Sequence, residues 1–163
     1  RIRYYNNNIE RLSLEKKIKK QGMTRKVSCA INIDECYEFM AGIVPVTDDS
    51  MPATKRMLFE EMRAKGMIPK VIVGYQRIPY VYMAGNVRIT LDSNITASME
   101  VGEFLSGNYS RRSIMPKGHE ILEVKWDEIL PSFIKKYISL DRLQWTTFSK
   151  YYYCRQYNNM GGL

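Results

Sequence analysis

The chain has 163 residues, enough for one domain with a substantial core, and its hydrophobic share of 45% is ordinary for a globular protein. Its 25 Lys and Arg against 17 Asp and Glu give a formal charge of +8, which favours anionic partners over cationic ones. The single histidine, His119, excludes a multi-histidine metal centre, the three cysteines (Cys29, Cys36, Cys154) match no zinc spacing, and no apolar run nears the roughly 18 residues of a membrane span.

RIRYYN (1–6) alternates charge and bulk as a strand does, and Asn6-Asn7-Asn8 is a turn signal. Residues 11–19 alternate again, with Leu12, Leu14, Lys16 and Ile18 on one side and Ser13, Glu15, Lys17 and Lys19 on the other. The two runs make a hairpin; Gln21-Gly22 turns the chain into a third strand over 24–32. Asn32 with Glu35 three residues on forms a capping box for a helix that stops at Gly42. Residues 43–50 read as a loop. Ser50 and Pro52 open a second helix that ends at Gly66. VIVGYQRIPYVYM (71–83) is a long strand in which Pro79 marks an edge or a bulge, and Gly85-Asn86 turns it into a partner over 87–95.

Residues 96–118 are irregular, with a short helix near Met99–Leu105. ILEVKWD (121–127) alternates strongly. Asp127 is expected to cap a helix whose apolar stripe is Leu130, Phe133, Ile134, Tyr137 and Ile138. The segment 143–155 reads as helix rather than strand. About six strands result, largely antiparallel, with helices between the pairs. Unpaired thiols suit a reducing compartment, so a cytoplasmic protein with structural cysteines is expected.

One charge pattern recurs on the strand-like segments. It appears as Arg-x-Arg at Arg1 and Arg3, as Glu-x-Lys at Glu15 and Lys17 and at Glu123 and Lys125, and as single arginines at Arg77 and Arg88. Residues i and i+2 of a strand share a face, so each segment aims charge to one side. Any one of them is ordinarily a solvated face. Five in one chain also fit a shared lumen that holds an anion. Two cations about 7 Å apart repel by about 2 kcal/mol at an effective dielectric near 20, and a polyanion among them removes that strain. Arginine forks match phosphate oxygens, and carboxylates among such cations suit a bridging divalent metal. Glu123 and Glu15 are the candidates for holding Mg²⁺ or Mn²⁺.

The order RIRYY, LEKK, VGYQRIPYV, NVRITLD, ILEVKWDE-LP, TFSKYYYCR resembles the VTC domain, the polyphosphate polymerase domain of the triphosphate tunnel metalloenzymes. The resemblance runs from Arg1 to about Arg155. It implies an α+β fold built on an antiparallel β-barrel tunnel with peripheral helices, spanning 1–157 and followed by a flexible tail at 158–163. The family's domain has earlier strands, so the barrel is expected to be incomplete at its N-terminus here.

The implied activity is transfer of the γ-phosphoryl group of ATP to a polyphosphate chain, assisted by Mn²⁺ or Mg²⁺. Hydrolysis of a triphosphate or polyphosphate in the same tunnel, and polyphosphate binding without turnover, are the alternatives; nucleic acid is not an expected partner. Arg1 and Arg3 match the family's tunnel R-x-R, Lys17 the lysine of its E-x-K strand, Arg77 and Arg88 the arginines of the next two strands, Glu123 the metal-binding glutamate, and Lys150 a C-terminal phosphate-binding lysine. Lys26 matches a lysine after the second turn, and Lys125 is a further candidate for phosphate. A second lysine that the family often has three residues before the FSK lysine is Thr147 here.

Overall fold

A computed structural model describes residues 1–20, 23–139 and 146–160. The expected turn at Gln21-Gly22 and residues 143–145 and 161–163 lie outside the described residues. The chain forms two compact units, one of residues 1–70 and 100–109, the other of residues 71–99 and 110–163. The fold is α+β, with two antiparallel sheets and four α-helices; no closed barrel is found among the described residues.

In the first unit, β1 (Ile2–Tyr5), β2 (Asn8–Lys20) and β3 (Met23–Ile31) form a meander in the order β1-β2-β3. Asn6 and Asn7 both take positive φ (53° and 56°), the backbone that a tight hairpin turn requires and asparagine tolerates. Alternation then decides the faces. Leu12 and Leu14 are buried with Ile31 against α1 (Ile33–Met40), α2 (Ala53–Ala64) and Leu105. Phe39 and Phe59 meet edge to face at 5.1 Å in the middle of this core.

The capping box at α1 forms as its residues dictate. Asn32 Oδ1 accepts from the Glu35 amide at 2.8 Å and Glu35 Oε2 accepts from the Asn32 amide at 2.9 Å. Such a cap is worth about 1 kcal/mol. The start of α2 differs from expectation. Pro52 occupies the N-cap and no side chain caps the helix; Ser50 instead donates its amide to Asp48 Oδ1 at 2.8 Å, which spends it in the preceding turn.

In the second unit, β5 (Val87–Ser98) is central. It pairs with β4 (Ile72–Tyr82) on one side, and on the other with β6 (Arg112–Ser113) near its end and β7 (Ile121–Lys125) near its start. Among the described residues β4 is an edge, a place that tolerates Pro79, and the bulge lies between Gly74 and Gln76. The β4–β5 turn passes through Gly85 at φ 77°, where a Cβ would sit 2.6 Å from the Ile129 carbonyl oxygen, so glycine is needed twice over.

β5 runs three residues beyond the expected 87–95. Asn94 absorbs the irregularity at φ 51°, and Ile95 and Ala97 beyond it are buried. Of the short helix expected near Met99–Leu105, one 3₁₀ turn forms at Val101–Glu103.

Two expectations about the next helix fail. α3 (Ser132–Ile138) begins after Pro131, not at Asp127. A residue preceding proline is pushed out of the helical region, so the helix cannot start before Pro131, and Asp127 accepts a hydrogen bond from Asn86 Nδ2 at 2.6 Å instead. Its stripe is also only partly inward: Ile134 is buried, while Phe133 and Tyr137 are exposed. The last helix, α4 (Lys150–Met160), packs on β5, with Cys154 buried and its Sγ 3.7 Å from the Thr96 carbonyl oxygen.

Candidate functional site

Each unit carries a carboxylate among cations on one sheet face. In the first, the β2 face opposite Leu12 and Leu14 presents Ser13, Glu15 and Lys17. Arg3 stands opposite Ser13, Ser28 opposite Glu15, and Lys26 opposite Lys17. Glu15 is buried despite its charge. Arg1 holds its Oε2 through Nε at 2.8 Å and Nη2 at 2.6 Å; Arg3 lies 3.7 Å from the same oxygen and Lys26 3.5 Å from Oε1. Burial pushes the Glu15 carboxyl up, and Arg1 first, then Arg3 and Lys26, outweigh it, so the group lies below the usual carboxylate range. Glu15 thus gathers Arg1, Arg3 and Lys26, with Lys17 directly across from Lys26.

In the second unit, the paired positions Arg77–Asp92, Thr90–Glu123 and Arg88–Lys125 put six side chains on one face of β4, β5 and β7. Asp92, wholly buried, is the centre. Arg77 grips it with a two-pronged fork, Nε to Oδ1 at 2.6 Å and Nη2 to Oδ2 at 2.7 Å, and Lys150, from the first turn of α4, reaches the same Oδ2 at 2.6 Å. The same two cations lie 5.2 and 5.1 Å from the centre of the Tyr75 ring. Glu123 accepts from Lys125 at 2.9 Å and lies 3.7 Å from Arg77.

Burial raises the Asp92 and Glu123 carboxyls, but their cations win: Arg77 and Lys150 lower Asp92, and Lys125 chiefly lowers Glu123. Two groups on this face are left over. Arg88 is exposed, with no acidic partner within 4 Å among the described residues, and the Thr90 hydroxyl is buried without a hydrogen-bond partner.

All ten residues singled out from the sequence therefore fall into two groups: Arg1, Arg3, Glu15, Lys17 and Lys26 in one unit, and Arg77, Arg88, Glu123, Lys125 and Lys150 in the other. Asp92, Tyr75 and Thr90 were missed. For Asp92 and Thr90 the signal was present, since Arg88, Thr90 and Asp92 alternate along one strand. Among the described residues no three His, Cys, Asp or Glu side chains cluster to hold a metal.

The three cysteines are unbridged. Burial raises the half-buried Cys29 thiol and pushes the buried Cys36 and Cys154 up to about 11, which disfavours their thiolates at neutral pH.

Acid sensitivity follows from the carboxylates. A carboxyl held below its unfolded value adds stability that is complete above that value, near 4, and is lost as pH falls through the folded value. For Glu15 and Asp92, urea melts should show their contribution unchanged from pH 7 to 5 and eroded below about 4. The Asp92→Asn variant should lose less stability over that acid range than the wild type; an equal loss would show that Asp92 contributes nothing to it.

The described residues thus form a basic α+β protein with a cation–carboxylate face in each unit. The chain matches the VTC domain over residues 1–158 and belongs to that family. No curated protein matches it. No helix among the described residues is long and apolar enough to cross a membrane.

Proposed function

We propose that this chain takes part in polyphosphate synthesis, moving the γ-phosphoryl group of ATP to a growing polyphosphate chain in a metal-dependent tunnel of the family's kind. The observation that supports this reading is Arg88, a cation with no acidic partner within 4 Å among the described residues. It sits directly across from Lys125. Like charges at opposed strand positions are destabilising; Lys125 is paired with Glu123, while no acidic side chain among the described residues lies within 4 Å of Arg88. A phosphate there would relieve the repulsion and gain charge-assisted hydrogen bonds.

The chemistry asks little of the protein beyond placement and charge. A terminal oxygen of the acceptor chain attacks the γ-phosphorus and forms a new P–O–P link. The β–γ bridging bond breaks, and ADP leaves with its electron pair. Such a transfer rests on positioning and electrostatic stabilisation, so no Ser, Cys or His nucleophile is needed. Arg77 and Lys150, held by Asp92, would orient phosphate oxygens; Arg88 and Lys125 would neutralise charge on the equatorial oxygens. Arg1, Arg3, Lys17 and Lys26 would hold further phosphates.

The donor set fits Mn²⁺ or Mg²⁺: Glu123 is a partly exposed carboxylate, and across the ladder from it stands the unpaired Thr90 hydroxyl. When bound, the ion would neutralise negative charge on the β- and γ-phosphates. Glu15 is the weaker candidate, since Arg1, Arg3 and Lys26 already engage its oxygens.

The test is incubation of the protein with ATP and Mn²⁺ and staining of the products for long-chain polyphosphate. Wild type should make it. Glu123→Gln and Arg3→Ala should lose on the order of a hundredfold in rate. Short products alone would point to hydrolysis, and binding of polyphosphate without turnover to a carrier. Wild-type rates in both variants would overturn the site.

A further inference from the structure

Thr90 stands on β5 between Arg88 and Asp92, opposite Glu123 on β7 and Pro79 on β4. It is 3% exposed, and its Oγ1 is the one buried side-chain polar atom without a hydrogen-bond partner among the described residues. A hydroxyl left so in a folded protein costs about 1–3 kcal/mol, and valine has the same shape without the cost. Its neighbours offer no reason for a hydroxyl in terms of folding. Proline across β4 has no donor, and the flanking Asp92 is already engaged by Arg77 and Lys150.

Across the ladder the position paired with Thr90 is a carboxylate, Glu123. Residues directly opposed on antiparallel strands stand with Cβ atoms about 5 Å apart. Both groups are hard oxygen donors, and the surrounding cations draw phosphate to the same face.

We propose that Thr90 Oγ1 is a ligand-side group of the metal site, acting with Glu123 on a divalent cation or on the water it carries when that cation arrives with a phosphate chain. The inference rests on the reading of Glu123 as a metal-binding residue. It adds a second protein oxygen to that site and accounts for the one unpaired buried hydroxyl among the described residues. The hydroxyl would help Glu123 hold the ion, so its loss should be felt in metal affinity before phosphate affinity.

The experiment compares the wild type with Thr90→Val, Thr90→Ser and Glu123→Gln. Mn²⁺ binding is read by electron paramagnetic resonance with and without inorganic tripolyphosphate, tripolyphosphate binding without metal by calorimetry, and folding by thermal melts. Thr90→Val should melt at or above the wild-type temperature. It should bind tripolyphosphate alone as the wild type does, and bind Mn²⁺ in its presence about tenfold more weakly. Thr90→Ser, which keeps the oxygen, should restore most of that affinity.

If Thr90→Val binds Mn²⁺ as tightly as the wild type, the role assigned to Thr90 is wrong while that of Glu123 stands. A lowered melting temperature in Thr90→Val with unchanged Mn²⁺ affinity assigns the hydroxyl to folding, and the proposal is equally lost. Should Glu123→Gln itself bind Mn²⁺ like the wild type, or the wild type bind none with tripolyphosphate, the metal reading beneath the proposal falls first.

Discussion

Arg77→Ala should abolish turnover and also destabilise the second unit by about 3 kcal/mol, because it removes the main partner of a buried charge. Asp92 has no access to water, so the loss of both prongs of the Arg77 fork leaves it with Lys150 alone. The Asp92 carboxylate would then draw Lys150 further from any phosphate, so one substitution disables two cations. Arg77→Lys separates the effects. It keeps the charge and much of the stability but loses the fork, so urea melts should show a smaller cost while turnover stays low. Unfolding free energies within about 0.5 kcal/mol of the wild type for Arg77→Ala would show that the Arg77–Asp92 pair is not structural.

Arg77 also shows where sequence reading stops. Its charge and strand were legible, because VIVGYQRIPYVYM alternates around a proline that belongs on an edge. Its partner was not. Asp92 lies 15 residues away, and only the register set by the Gly85-Asn86 turn brings the two together. The local signals were sound wherever one residue dictated one backbone state: Asn6 and Asn7 at positive φ, Gly85 in its crowded turn, Asn32 and Glu35 in their reciprocal cap.

They failed where two signals competed. Asp127 is a good cap residue, but Pro131 overrules it by excluding helix before itself. The stripe of α3 counted five apolar positions, yet a seven-residue helix has too little length to bury them all. The barrel drawn from the family resemblance requires strand pairings distant in sequence, and alternation records which face a residue takes, not which strand lies beside it. The clustering of charge was readable for the same reason that the pairing was not: face is a local property with a period of two.

The most telling variant is Arg88→Ala, in which folding and function should part company. Arg88 is exposed, contacts no carboxylate among the described residues and opposes Lys125, so its removal relieves a like-charge pair. Stability should stay within about 0.5 kcal/mol of the wild type or rise slightly. Phosphate binding should fall, since a charge-assisted hydrogen bond is worth about 1.5–3 kcal/mol, roughly ten- to a hundredfold in affinity. Turnover should fall further, on the order of 10²–10³, if the arginine stabilises charge that develops during transfer.

Arg88→Lys, with the charge but not the planar fork, should land between the two. Lys135→Ala, on the exposed side of α3, controls for a loss of net charge alone and should leave both quantities unchanged. Calorimetry with inorganic tripolyphosphate measures the first effect and polyphosphate formation from ATP the second. A surface arginine kept only for solubility would make Arg88→Ala behave like Lys135→Ala. A structural arginine would make its losses track the melting temperature. Only an arginine whose missing partner is the substrate combines unchanged stability with lost affinity and a still greater loss of rate.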